Sequence, residues 1–90
     1  MSFAIVLEEL ARVDCAVANA VMANSSVASL LNNFGTDAQR ERYLRPILNG
    51  GQVGSIALSE PNAGSDAANI DTRADLFDGQ WVINGAKTFI

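Results

Sequence analysis

The periodicity of this sequence changes once, at Asn49-Gly50-Gly51, and that change limits the fold more than any other feature. Before it, Phe3, Leu7, Leu10, Val13, Val17 and Val21 recur at the spacing that gathers side chains on one helix face. After it, apolar and polar residues alternate as in half-buried strands. The expected class is therefore α+β. Helices belonging to an all-α domain fill 1–51, and an antiparallel β-meander that opens a second, β domain fills 52–90.

The helical half carries its own punctuation. Ser2 is placed to cap the start, and Glu8 and Arg12 stand four apart, where a pair contributes about 0.2–0.5 kcal/mol. From Cys15 to Ala23 the helix is rich in Ala and Val and nearly free of charge, so it expects neighbours on several sides. Asn24-Ser25-Ser26 reads as a break that caps a second helix, Val27 to Asn33, ended by Phe34-Gly35. Thr36-x-x-Gln39 has capping-box spacing, with Asp37 near the positive helix end. Tyr43 and Leu44 anchor that third helix. Pro46 interrupts it and starts a fresh turn that finishes at Asn49-Gly50-Gly51.

In the extended half, Val53 to Ser59 reads as a strand and Glu60 to Asn69 as a polar loop. Ile70 to Phe77 alternates. Asp78-Gly79 is a hairpin turn with Gln80 to Ile83 as its return strand. Asn84-Gly85 reads as a second hairpin turn, with a further strand from Ala86 to Ile90. Neither half looks complete, which suggests a piece spanning a domain boundary.

Composition excludes several functions. Histidine is absent, so His-based triads and nearly all zinc sites are ruled out within these residues, and no metal site is expected. Ten acidic against six basic residues leave no excess charge for nucleic-acid phosphates. No run of about 18 uncharged apolar residues is present to span a membrane. The N-terminus lacks a basic leader and carries Glu8 and Glu9 where a signal peptide needs apolar residues. The expected compartment is the cytoplasm, or the mitochondrial matrix in a eukaryote. Cys15 has no second cysteine to pair with and reads as buried and inert; Trp81 reads as core.

The segment with chemical content is Ser59-Glu60-Pro61-Asn62-Ala63-Gly64-Ser65-Asp66. Two hydroxyls lie near backbone amides, Gly64 lets the main chain approach a ligand, and Pro61 stiffens the entry. Such a loop suits a phosphate or a heteroaromatic ring edge. Ordinary surface turn chemistry also produces this composition. No Gly-Lys-Ser/Thr follows and no G-x-G-x-x-G opens a helix, so it is neither a P-loop nor a Rossmann fingerprint.

The order of pieces narrows the choice. Tyr43-Leu44-Arg45-Pro46, Ser59 to Asp66 and Asp78 to Ile90 together resemble the acyl-CoA dehydrogenase family. Its pattern is a helix ending in YL-x-P, then T/S-E-P-x-A-G-S-D, then D-G-x-x-x-I/V-N-G-x-K-x-W/F-I. Leu7 to Asp14 is similar to the family's long N-terminal-domain helix. The resemblance implies a helical domain over 1–51 and the start of a middle β-domain over 52–90. It also implies FAD as cofactor and oxidation of the Cα–Cβ bond of an acyl-CoA thioester. The implied partners are the acyl-CoA, an electron acceptor such as an electron-transfer flavoprotein, and further copies of the same protein. An acyl-CoA oxidase-type relative and a non-catalytic nucleotide-binding module remain the alternatives.

Carried over by position, Ile56, Ala57, Leu58, Ser59, Gly64, Ser65, Phe89 and Ile90 would contact the flavin, and Ser65 would also touch substrate. Ser59 stands where the family usually has Thr, Phe89 where many members have Trp, and Asn62 where Gly is frequent, a place where Asn tolerates left-handed backbone. No residue matches the family's catalytic glutamate, so no catalytic residue is assigned and the chain alone is expected to be inactive. Glu60 belongs to the loop motif, and its expected role is to bond nearby amides. Asp66 is expected to cap or brace the loop, and Lys87 reads as a hairpin charge.

Overall fold

A computed structural model describes residues 2–90, which form two compact units, one ending at Ile56 and one over Ala57–Ile90. The first is helical, and the second is a loop followed by a two-stranded hairpin. The α+β order expected from periodicity holds.

In the first unit, α1 spans Phe3–Val13 and α2 spans Cys15–Phe34. Asp14 separates them, in an extended conformation at φ −151° and ψ 109°. Its Oδ1 accepts from the amides of Ala16 (2.8 Å) and Val17 (3.3 Å), which satisfies two of the unpaired donors at the start of α2. The break thus falls at Asp14 and not at Asn24-Ser25-Ser26, which α2 carries without interruption. Two contacts explain why. The Ser26 hydroxyl donates to the Met22 carbonyl (2.9 Å), one helical turn back. The Asn24 side chain accepts from Gly54 N (2.7 Å), so its polarity serves a contact between distant segments. Ser2 forms no side-chain cap on α1, and Arg12 pairs with Glu9 (3.2 Å) in place of Glu8. Cys15, the first residue of α2, is exposed.

A third helix covers 37–48 in three stretches: Asp37–Gln39 is α-helical, Arg40–Leu44 is π-helical, and Arg45–Leu48 is α-helical. The capping box forms as expected, with Gln39 N to Thr36 Oγ1 at 3.2 Å and Thr36 N to Gln39 Oε1 at 2.9 Å. Pro46 does not end the helix. Arg45 N reaches back five residues to the Arg40 carbonyl, so the wider turn carries the chain into a segment where proline sits near the start. The finish is a Schellman motif: Gly50 N bonds Ile47 O (3.2 Å), Gly51 N bonds Pro46 O (2.9 Å), and Gly50 takes φ +73°. The core of this unit is thin. Ala18, Leu44 and Ile47 are buried, and Val13, Phe34 and Val53 are among the large apolar residues left exposed.

In the second unit, β1 (Arg73–Phe77) pairs antiparallel with β2 (Gln80–Asn84), Phe77 facing Gln80 and Arg73 facing Asn84. Asp78 and Gly79 make the turn with φ of 49° and 74°, the paired positive values of a two-residue hairpin. Both faces of the hairpin are exposed, Trp81 included at 67 %. Of the expected meander, this hairpin is what forms. Residues 53–59 and 86–90 lie outside any strand: a strand requires a repeating ladder, and a single backbone bond, Thr88 N to Ser59 O, joins the two segments among the described residues. Asn84-Gly85 is not a turn; Gly85 instead lies against Thr72. No helix of the described residues is long and apolar enough to cross a membrane.

Candidate functional site

The Ser59–Asp66 loop is built on a tight turn. Glu60 N donates to Ala63 O (2.8 Å) and Ala63 N to Glu60 O (3.2 Å), with Pro61 and Asn62 at the two central positions. Pro61 is pre-set for the first of these by its ring. Asn62 does not adopt a left-handed conformation; Asp78 and Phe89 are the non-glycine residues with positive φ among those described. Ala63 and Glu60 are buried, so the turn is pinned inward at both ends. The Asp66 side chain caps nothing: its main-chain carbonyl accepts from Asn69 N (3.1 Å), closing the single 3-10 turn Ala67–Asn69.

Glu60 organises the unit. Its Oε2 accepts from Asp71 N (2.7 Å), and its Oε1 accepts from Thr72 N (3.1 Å), the Thr72 hydroxyl and Lys87 Nζ (2.8 Å). The Glu60 side chain is only 3 % exposed, so the bonds replace the water it has lost. The Lys87 ammonium first, then the Thr72 hydroxyl and the amides of Asp71 and Thr72, hold its pKa down at about 2, against the opposing effect of burial. A carboxylate so held is a poor proton acceptor, which fits the structural role expected of it and not that of a general base.

Lys87 also donates to Leu58 O (3.0 Å), and Thr88 N donates to Ser59 O (2.9 Å). These bonds bring the expected site residues Leu58 and Ser59 beside the segment that carries Phe89 and Ile90. Leu58 is 51 % exposed, and Phe89 is fully exposed at φ 58°, a conformation uncommon for an aromatic residue. Ala57, Gly64 and Ser65 are exposed, and a Cβ added at Gly64 would meet nothing within 4 Å. Among the described residues, the N–H groups of Ala57, Leu58, Ser59, Gly64 and Ser65 have no partner within the chain. Ile56, 42 % exposed, is the last residue of the first unit.

Thr72, Gly85 and Lys87 carry contacts that their local sequence does not flag. A usable signal exists for Lys87. It is the only lysine in the chain, and residues 57–90 hold just one other cation, Arg73, so a buried carboxylate there has few partners to choose from.

Comparison with known proteins agrees with this architecture. Residues 1–51 match the family model described as the acyl-CoA dehydrogenase N-terminal domain, and residues 55–90 match that of the acyl-CoA dehydrogenase middle domain. The chain belongs to the acyl-CoA dehydrogenase family. A short-chain specific acyl-CoA dehydrogenase of Clostridium acetobutylicum is 40 % identical over all of this chain and 24 % of its own length. A mitochondrial 2-methylacyl-CoA dehydrogenase of Solanum tuberosum is 44 % identical over 92 % of this chain and 20 % of its own. A solved structure concerning the electron transferring flavoprotein of Acidaminococcus fermentans and flavin-based electron bifurcation contains a similar chain. Its TM-score is 0.84 at 40 % identity, covering 90 % of this chain and 22 % of that one. The chain thus spans about a quarter of the length of the relatives it matches.

Proposed function

We propose that residues 57–90 form one side of an FAD cradle in an acyl-CoA dehydrogenase, preceded by part of its helical domain. The observation that carries this reading is the Thr88 N to Ser59 O bond, which joins the Ser59–Asp66 loop to the segment bearing Phe89. The donor chemistry fits the cofactor. Unpaired amides at Ala57, Leu58 and Ser59 suit the acceptor-rich edge of a flavin ring, and those at Gly64 and Ser65 suit a pyrophosphate. Phe89 offers a flat apolar face with Ile90 beside it in sequence, Ile56 precedes the donor run, and Ser65, which is exposed, is also the residue proposed to touch substrate.

FAD, when bound, supplies the hydride acceptor for oxidation of the Cα–Cβ bond of an acyl-CoA thioester. The residues of this chain bind and orient; Glu60 is fully engaged and does not take the α-proton. A dehydrogenase is favoured over an oxidase because relatives that cover this chain, those of Clostridium acetobutylicum and Solanum tuberosum among them, are named dehydrogenases. An electron-transfer flavoprotein is the proposed acceptor, since a 42 % identical relative in Acetobacterium woodii is named as a subunit of a caffeyl-CoA reductase–Etf complex.

The test is to purify the protein carrying this sequence and measure bound flavin and acyl-CoA-dependent flavin bleaching under nitrogen and in air. The expected result is stoichiometric FAD, with bleaching by short acyl-CoA thioesters and slow reoxidation by oxygen. Ser59→Ala and Phe89→Ala each lower flavin occupancy. A protein that folds but takes up no FAD overturns the reading, and fast reoxidation by oxygen transfers it to the oxidases.

A further inference from the structure

We propose that Lys87 is a positioning residue for the flavin: its ammonium, anchored by buried Glu60, orients the Leu58–Ser59 peptide so that the Ser59 N–H faces the cofactor. This inference rests on the FAD reading above.

A trans peptide points its C=O and N–H in opposite directions, and no peptide bond in the chain is cis. The Leu58 carbonyl accepts from Lys87 Nζ at 3.0 Å, so the N–H of the same peptide, that of Ser59, points away from Lys87. The next peptide is fixed on both sides by backbone: Ser59 O accepts from Thr88 N, and Glu60 N donates to Ala63 O. The Leu58–Ser59 peptide has no such backbone support. Lys87 is the partner its carbonyl has among the described residues, and its N–H is unpaired.

A lysine side chain would ordinarily be too mobile to orient a peptide. Here the ammonium is held at 2.8 Å by a carboxylate that is itself tied to Asp71 N and Thr72 N. The chain of contacts therefore runs from two fixed amides through Glu60 and Lys87 to the Leu58 carbonyl. Its output is an unpaired donor aimed away from Lys87 before any ligand arrives, which lowers the ordering cost of binding.

Two measurements test this on the purified protein carrying this sequence. The first is hydrogen exchange at the Ser59 amide with and without FAD. Rapid exchange in the flavin-free protein and at least about tenfold slowing with FAD are expected. The second is FAD affinity in Lys87→Met, which keeps the aliphatic stem, and in Lys87→Arg, which keeps charge and donors. Lys87→Met is expected to bind FAD about tenfold more weakly, and Lys87→Arg to recover most of that loss. If Lys87→Met does not accumulate as folded protein, exchange at Ser59 in the unmodified protein decides alone. FAD binding that leaves the Ser59 amide unprotected, or Lys87→Met with unmodified affinity, overturns the role of Lys87 while the FAD reading stands. Failure of the unmodified protein to bind FAD overturns the reading itself.

Discussion

Gly85 lies directly against Thr72: a Cβ built on Gly85 would fall 2.7 Å from the Thr72 Cβ and 2.8 Å from its Cα. Thr72 cannot retreat, because its amide and hydroxyl are both bonded to Glu60. The glycine is needed for close approach, not for a turn. Gly85→Ala should destabilise the second unit by about 1–3 kcal/mol, the usual range for overpacking. A denaturant melt of the purified protein measures it. Thr72→Ala in the same chain should restore little, since it removes the obstructing hydroxyl but leaves the Cβ and Cα in place and gives up a bond to Glu60.

Gly54 makes a similar approach in the first unit, to the Val27 side chain. Its Cβ would lie 2.8 Å from the Val27 Cβ and 2.9 Å from Cγ1, while its own N–H bonds Asn24. Gly54→Ala should destabilise, and Val27→Ala should partly relieve the crowding by removing both γ carbons. The double variant is then less destabilised than the two single changes added together. A coupling of about 0.5 kcal/mol or more in a double-mutant cycle is expected; strict additivity would show that the two residues do not press on each other.

What the sequence made legible was local. The Thr36–Gln39 capping box, the Asp78-Gly79 turn and the Asn49-Gly50-Gly51 helix end each depend on residues within a few positions of one another, and each forms as expected. What it hid depended on distance. Asn24-Ser25-Ser26 looks like a break until Gly54, thirty residues on, takes up the Asn24 side chain. Residues 53–59 alternate like a strand, yet alternation says which way side chains point and nothing about whether a partner is there to pair with. The Ser59–Asp66 loop was visible as a donor-rich motif. The Glu60–Lys87 pair that fixes it joins residues 27 apart, and the scarcity of cations in 57–90 is the one hint of it in the sequence.

Asp14 is the one residue that both ends α1 and starts α2. Its carboxylate serves the amides of Ala16 and Val17, which would otherwise lack partners. Asp14→Ala should cost about 0.5–2 kcal/mol, and Asp14→Asn, which keeps the accepting oxygen, should retain most of the stability. Thermal melts of the two variants side by side check this. Equal losses would show that charge near the helix start, and not the capping bond, is what Asp14 contributes.

The acid limit of the second unit should be set by Glu60. Its pKa is lowered from 4.5 to about 2 by Lys87, Thr72 and the amides it binds. A carboxylate with a depressed folded-state pKa binds its proton more readily when unfolded, so acid favours the unfolded chain. The stabilisation is fully present above pH 4.5 and is lost as pH falls through the folded value near 2. Denaturation midpoints followed across that window should decline steeply in the unmodified protein. Glu60→Gln should be less stable at pH 7, where Lys87 loses its anion, and should show a shallower decline toward acid. An unchanged acid slope in Glu60→Gln would assign the transition to other carboxylates and remove Glu60 from control of this unit's stability.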